Sequence, residues 1–204
     1  MKFIDFAKRA KMYLILFSVL LLVIVGSVIY GLVTQYDRGF LIDGGRAYYY
    51  DKLDFPLQFA YTKDVPLNYL SMFVTVIDQL NDRLGFKLIK NTMIVWDKNL
   101  DGIDSTINVL IEMKELSELS TNCGGTTIIH SNTKNDGKIL SVHIKMRSGL
   151  TGNNLETAIR HEIGHVLCLD HDDKKSSVMY EYTEGRLKYF TSKDIERLRK
   201  RYRK

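Results

Sequence analysis

Proline is scarce in this sequence, two residues in 204, and no stretch is of low complexity, which argues against a long flexible linker. Internal repeats are absent too, which excludes a repeat architecture. Nor is there a large excess of one charge: the formal net charge is +5. Lys2, Lys8, Arg9 and Lys11 against Asp5 place +3 of it in the first eleven residues, and much of the excess beyond them lies in the tail 197–204. Two end patches do not make a basic face, which argues against nucleic acid as a partner. What is present is a globular balance, 45% hydrophobic and 26% charged residues, with length for one ordinary domain and an appendage.

The appendage is legible in a run without charge. Residues 12–36 carry no charged side chain, and residues 13–33 read YLILFSVLLLVIVGSVIYGLV. A helix needs about 20 apolar residues to cross the hydrocarbon core, so this segment is expected to be a transmembrane signal-anchor helix. The apolar region of a cleaved signal peptide is shorter, about 7–15 residues. Gly26 and Ser27 nevertheless keep cleavage open, and with it secretion. The basic segment 1–12 is then expected in the cytoplasm, with everything after the span outside it.

Residues 34–52 read as a juxtamembrane connector, and the folded domain is expected over residues 53–204. Leu57, Phe59 and Tyr61 alternate with Gln58 and Ala60, the pattern of a half-buried strand. Leu67, Leu70, Val74, Ile77, Leu80 and Leu84 recur at helical spacing, and Gly85 offers a stop. Strand-like runs follow at 92–96, 107–113, 126–130 and 139–146, with a hairpin signal at Asp136-Gly137. Asn153 with Glu156 three residues on predicts a helix start, and that helix runs through Leu167. Thr191 with Asp194 predicts a capping box for a final helix, with Phe190 stapled onto Ile195 and an apolar stripe of Ile195, Leu198 and Tyr202. The order of elements gives an α+β domain.

Residues 161–171 read HEIGHVLCLDH, and three of the five histidines fall in this window. Positions four apart stack on one helix face, so His161 and His165 present two imidazoles to one point. His171 lies too far along a straight helix to meet the same ion, so the helix must break near Cys168 and the chain fold back. A catalytic zinc takes three such ligands and keeps one position for water. Glu162 stands beside the first ligand, where it reaches that water without occupying the metal.

This segment resembles the metzincin pattern H-E-x-x-H-x-x-G-x-x-H with its Met-turn, the Met-turn residue being Met179 in SSVMY. Within that clan the chain is most similar to matrixins, in HEIGHVLCLDH, in VMY, in the closing FTSKDIERLRKRY and in PLNYLSMFVTVIDQLNDRLGF. The resemblance implies a zincin-like fold: a mostly parallel sheet with an antiparallel edge strand, a long first helix, an active-site helix and a C-terminal helix. It implies a zinc endopeptidase, with Zn²⁺ on His161, His165 and His171, Glu162 as general base and Met179 as a floor beneath the metal. A peptide substrate would pair with the strand Thr126, Thr127, Ile128, Ile129 and His130. Where the pattern has glycine, this chain has Cys168. Zinc ligation by Cys168 is disfavoured, since three histidines suffice. Cys123 and Cys168 are candidates for a disulfide. A blocking propeptide cysteine is rejected for Cys123, which lies inside the domain. Two other classes stay open: a membrane-anchored, non-catalytic zinc-stabilised binding domain, and an anchored interaction protein whose histidines bind nothing. An intact Glu162 counts against the first.

Asp97, Asn99 and Asp101 alternate before Gly102 like the first half of a calcium loop, but the closing position holds Asn108, so a polar turn is favoured over Ca²⁺. His130 and His143 lie in strand patterns and read as structural. Asp172 reads as an anchor of the turn after the third histidine.

Overall fold

The computed structural model describes residues 21, 23–25, 42–43, 46–50, 54–96, 107–114, 124–131, 137–181 and 186–203. The chain divides into two units, Met1–Arg38 and Gly39–Lys204. In the first, Leu21 and residues 23–25 are helical. Among the described residues no helix is long and apolar enough to cross a membrane. The span expected at 13–33 lies almost wholly outside them, as do Cys123, Asp97, Asn99, Asp101 and Asp136.

The second unit opens with a small antiparallel pair, β1 (Ile42–Asp43) and β2 (Arg46–Ala47). Its main sheet holds β3 (Leu57–Thr62), β4 (Ile89–Trp96), β5 (Val109–Lys114), β6 (Gly125–Ser131) and β7 (Ile139–Arg147). Their spatial order is β4-β3-β5-β7-β6. Neighbours are parallel except β6 and β7, so β6 is an antiparallel edge strand. Three helices complete the unit: α1 (Leu67–Leu84), α2 (Gly152–Val166) and α3 (Ser192–Tyr202). This is the mixed α and β domain that the order of elements predicts.

Strand alternation decides which face carries the core. Val109 and Ile111 of β5, with Val142, Ile144 and Met146 of β7, enter one cluster with Phe73 and Ile77 of α1 and Ile159 and Ile163 of α2. Leu110 points the other way and joins Ala60 and Ile107 in a small cluster beneath Trp96. β3 departs from the half-buried expectation. It is a central strand, and Gln58 is buried at 4% exposure. The Gln58 amide is satisfied by donating to Phe59 O at 3.0 Å and Thr92 O at 2.8 Å.

α1 stops at Gly85, whose φ of 79° is the left-handed conformation glycine adopts without strain. Its buried face is rotated from the expected stripe: Leu67 is 83% exposed, and Tyr69 and Phe73 go inside. Two apolar stripes run side by side here, and the aromatic one has more area to bury. Tyr69 also finds partners, its hydroxyl donating to Arg147 O and accepting from Leu150 N, each at 2.8 Å. α3 begins as predicted, with Thr191 and Asp194 in a reciprocal capping box.

The connector expected over 34–52 ends too late. Tyr49 bridges Lys138, with Tyr49 N donating to Gly137 O and Ile139 N to Tyr49 O, and Tyr50 is buried. Residues 48–50 therefore belong to the packed domain. Their periodicity is too short to read, because an isolated bridge has no repeating pattern.

Candidate metal centre

α2 buries Leu155, Ala158, Ile159, Ile163 and Val166 against the sheet and α1. That fixes the roll of the helix and turns His161 and His165 toward the opposite side. The helix starts at Gly152 after Thr151, with no side-chain cap, rather than at Asn153. Glu156, the expected capping partner, instead pairs with the buried Arg160 one turn on. Arg160 also reaches Gln79 and lies 4.5 Å from the Tyr189 ring centre. A buried guanidinium needs such partners more than the helix start needs a cap.

The break after Val166 falls where expected. Cys168 N donates to His165 O at 2.8 Å and Leu169 N to Gly164 O at 2.9 Å, the paired bonds of a Schellman motif. The left-handed residue is Cys168, at φ 62°, among the described residues the one non-glycine with positive φ. A side chain there costs on the order of 1 kcal/mol relative to glycine. Its thiol is free and fully buried, so the disulfide with Cys123 is not formed. Burial pushes that thiol up to about 11, which leaves it an inert, protonated filler.

After the turn His171 returns to the other two histidines. The three Nε2 atoms stand 3.0 Å (His161 to His165), 3.2 Å (His165 to His171) and 3.3 Å (His161 to His171) apart. A tetrahedral zinc with Zn–N of about 2.0–2.1 Å holds its ligand nitrogens about 3.3–3.4 Å apart. The separations fit that geometry. The tautomers fit as well: His161 Nδ1 lies 2.8 Å from Val178 O and His165 Nδ1 2.9 Å from Leu169 O. A carbonyl only accepts, so each Nδ1 keeps its proton and each Nε2 turns a bare lone pair inward. Burial, above all, drives His161 down to about 4 and His165 to about 3, with neighbouring imidazoles adding to the effect. Both rings are neutral at pH 7, the form that binds metal.

Met179, the expected floor of the site, is buried at 1% exposure. It sits in a turn where Tyr180 N donates to Ser177 O and Met179 N donates to Ser177 Oγ at 3.1 Å. Asp172 closes the loop, its N–H donating to Met179 O and its carboxylate accepting from Lys174 N, each at 2.9 Å. Met179 packs so tightly on the helix that a Cβ at Gly164 would stand 2.2 Å from its Sδ. Gly164→Ala is therefore expected to displace Met179 and, through Val178 O, the His161 ring. Overpacking of this kind costs about 1–3 kcal/mol, to be read as a lower urea midpoint.

Glu162 lies between α2 and β6 at 3% exposure. Burial pushes its carboxyl up to about 7, and a 2.6 Å hydrogen bond from the Thr127 hydroxyl to Oε2 pulls it back. Gly125 makes the approach possible, since a Cβ there would come within 2.9 Å of Glu162 Cγ. The edge strand Thr126, Thr127, Ile128, Ile129 and His130 is thus placed against the helix bearing Glu162. His130 and His143 sit apart from the centre, ring centres 5.0 Å from each other, with His143 Nδ1 3.8 Å from Glu112. Among the described residues His161, His165 and His171 form the one group able to hold a metal ion. Not foreseen from the sequence are the bond of Thr127 to Glu162, the close approaches at Gly125 and Gly164, and the carbonyls of Val178 and Leu169 as histidine partners. Carbonyl acceptors leave no trace in a sequence.

The matrixin family model, of the peptidase M10 group, matches residues 89–203. Among curated proteins, none matches the chain.

Proposed function

The chain belongs to the matrixin family, whose members are zinc metallopeptidases, and we propose that it is a zinc endopeptidase using Glu162 as its general base. The observation that supports this best is the convergence of three Nε2 atoms within 3.0–3.3 Å, with the buried Glu162 next to His161 in the chain. His161, His165 and His171 would hold the ion. Zinc bound there supplies Lewis acidity, polarising the scissile carbonyl and bringing a water's pKa to about 7. Glu162 accepts the proton of the attacking water and returns it to the leaving amine nitrogen. Thr127 keeps the carboxylate oxygen Oε2 in place through its hydrogen bond. A substrate strand would extend β6 on the side away from β7, its main chain supplying the affinity. The domain is held outside the cytoplasm by the segment 13–33, with residues 1–12 inside, or is released if that segment is cleaved.

Incubation of the full chain with a mixed peptide library, with and without chelator, tests the proposal. Internal cleavage that chelator abolishes and zinc restores is expected. One zinc bound per chain with no cleavage of any peptide would turn the reading toward a zinc-stabilised binding domain.

A further inference from the structure

The turn that returns His171 leaves two main-chain carbonyls that the helix cannot satisfy. The Schellman bonds use His165 O and Gly164 O, while Val166 and Leu167, both fully buried, keep their own carbonyls beyond the last intrahelical donors. Each is met by a tyrosine. Tyr50 donates its hydroxyl to Val166 O at 2.7 Å, and Tyr202 donates to Leu167 O at 3.1 Å. One comes from the chain before β3 and the other is the last residue of α3. Phe55 packs between them, its ring centre 5.7 Å from Tyr50 and 5.1 Å from Tyr202. Burial raises both phenols well above their ordinary range, so both remain donors.

The strained residue sits at the same place. Cys168 turns left-handed immediately after these carbonyls, and its thiol shares a hydrogen bond with Tyr202. The next carbonyl, Leu169 O, is the partner of His165 Nδ1. A glycine would hold this turn without help. A cysteine needs the turn held from outside, and the two hydroxyls are placed to do it.

We propose that Tyr50 and Tyr202 are positioning residues of the metal centre. Their hydroxyls fix the end of α2 in the turn that Cys168 strains, and so set the His165 ring and the return of His171. The inference rests on the three histidines being zinc ligands. It also makes the chain before β3 part of the centre: without Tyr50 the helix end loses one of its two clamps.

The test uses the full chain and the double variant Y50F/Y202F, which keeps both rings and removes both hydroxyls. Zinc affinity is measured by competition with a chromophoric chelator. Loss of a group bonded directly to a metal ligand weakens binding by about 10- to 100-fold; these hydroxyls act one contact further out, through the helix end, so a loss near the lower end, about 10-fold, is expected. At saturating zinc, kcat should fall with KM unchanged. Adding C168G to the double variant should recover affinity, because glycine relieves the turn itself. Single variants Y50F and Y202F serve if the double variant does not fold. Unchanged zinc affinity in a folded variant, or a loss that C168G does not relieve, overturns the proposal. A wild-type chain that binds no zinc would instead overturn the reading of the histidines.

Discussion

Replacing Glu162 by glutamine is expected to leave zinc bound and the fold intact while peptide hydrolysis falls by about 10²- to 10⁴-fold, the span of a lost general base. Glutamine keeps the volume between α2 and β6 and can still accept the Thr127 hydrogen bond, so the loss isolates the proton transfer. Stability provides a second readout. Burial raises the folded pKa of Glu162 from 4.5 to about 7. A carboxyl raised in this way destabilises the fold: the cost is fully felt above about 7 and vanishes below the unfolded value of 4.5. The metal-free glutamine variant should therefore gain on wild type at pH 8 and lose that advantage at pH 4.5. Urea unfolding of the two metal-free proteins at both pH values checks the sign. Undiminished hydrolysis by the variant would end the proposed role of Glu162.

His165→Ala should abolish both zinc binding and hydrolysis. His165 stands next to both other ligands, with Nε2 contacts of 3.0 and 3.2 Å, so its removal leaves two nitrogens and no tetrahedral face. The affinity loss should exceed the about 10- to 100-fold typical of an outer-shell change. A ligand that binds only the native state stabilises it by about 4 kcal/mol at a thousand times Kd. Wild type should thus melt at a higher temperature with zinc than with chelator, and His165→Ala should melt alike in both. Calorimetry with and without zinc measures this. A zinc-dependent melting shift retained in the variant would show that the ion lies elsewhere.

Features were legible in the sequence where one short segment settles its own geometry. His161 and His165 must share a helix face at a spacing of four, and His171 forces the helix to break near Cys168, where φ is 62°. The Thr191–Asp194 capping box closes on itself within four residues. Gly85 ends α1 by its own conformational freedom. Elsewhere local pattern was overruled. Asn153 and Glu156 have the spacing of a cap, but Arg160, buried between α2 and α1, claims Glu156. Leu67 and Tyr69 offer two rival faces of α1, and the choice depends on Arg147 O and Leu150 N, some 80 residues away in the chain.

The sequence by itself determined the chemistry: three imidazoles, one carboxyl beside them, a methionine beneath, and a break between the second and third ligands. Tertiary structure alone decided how that chemistry is held. Helix spacing is intrinsic to the backbone, so ligand positions follow from local residues. The carbonyls that orient His161 and His165, the hydroxyl on Glu162 and the two tyrosines under the turn come from segments that meet only when the sheet and helices pack. The state of Cys168 was decided in the same way: the packed turn leaves it fully buried with its thiol free.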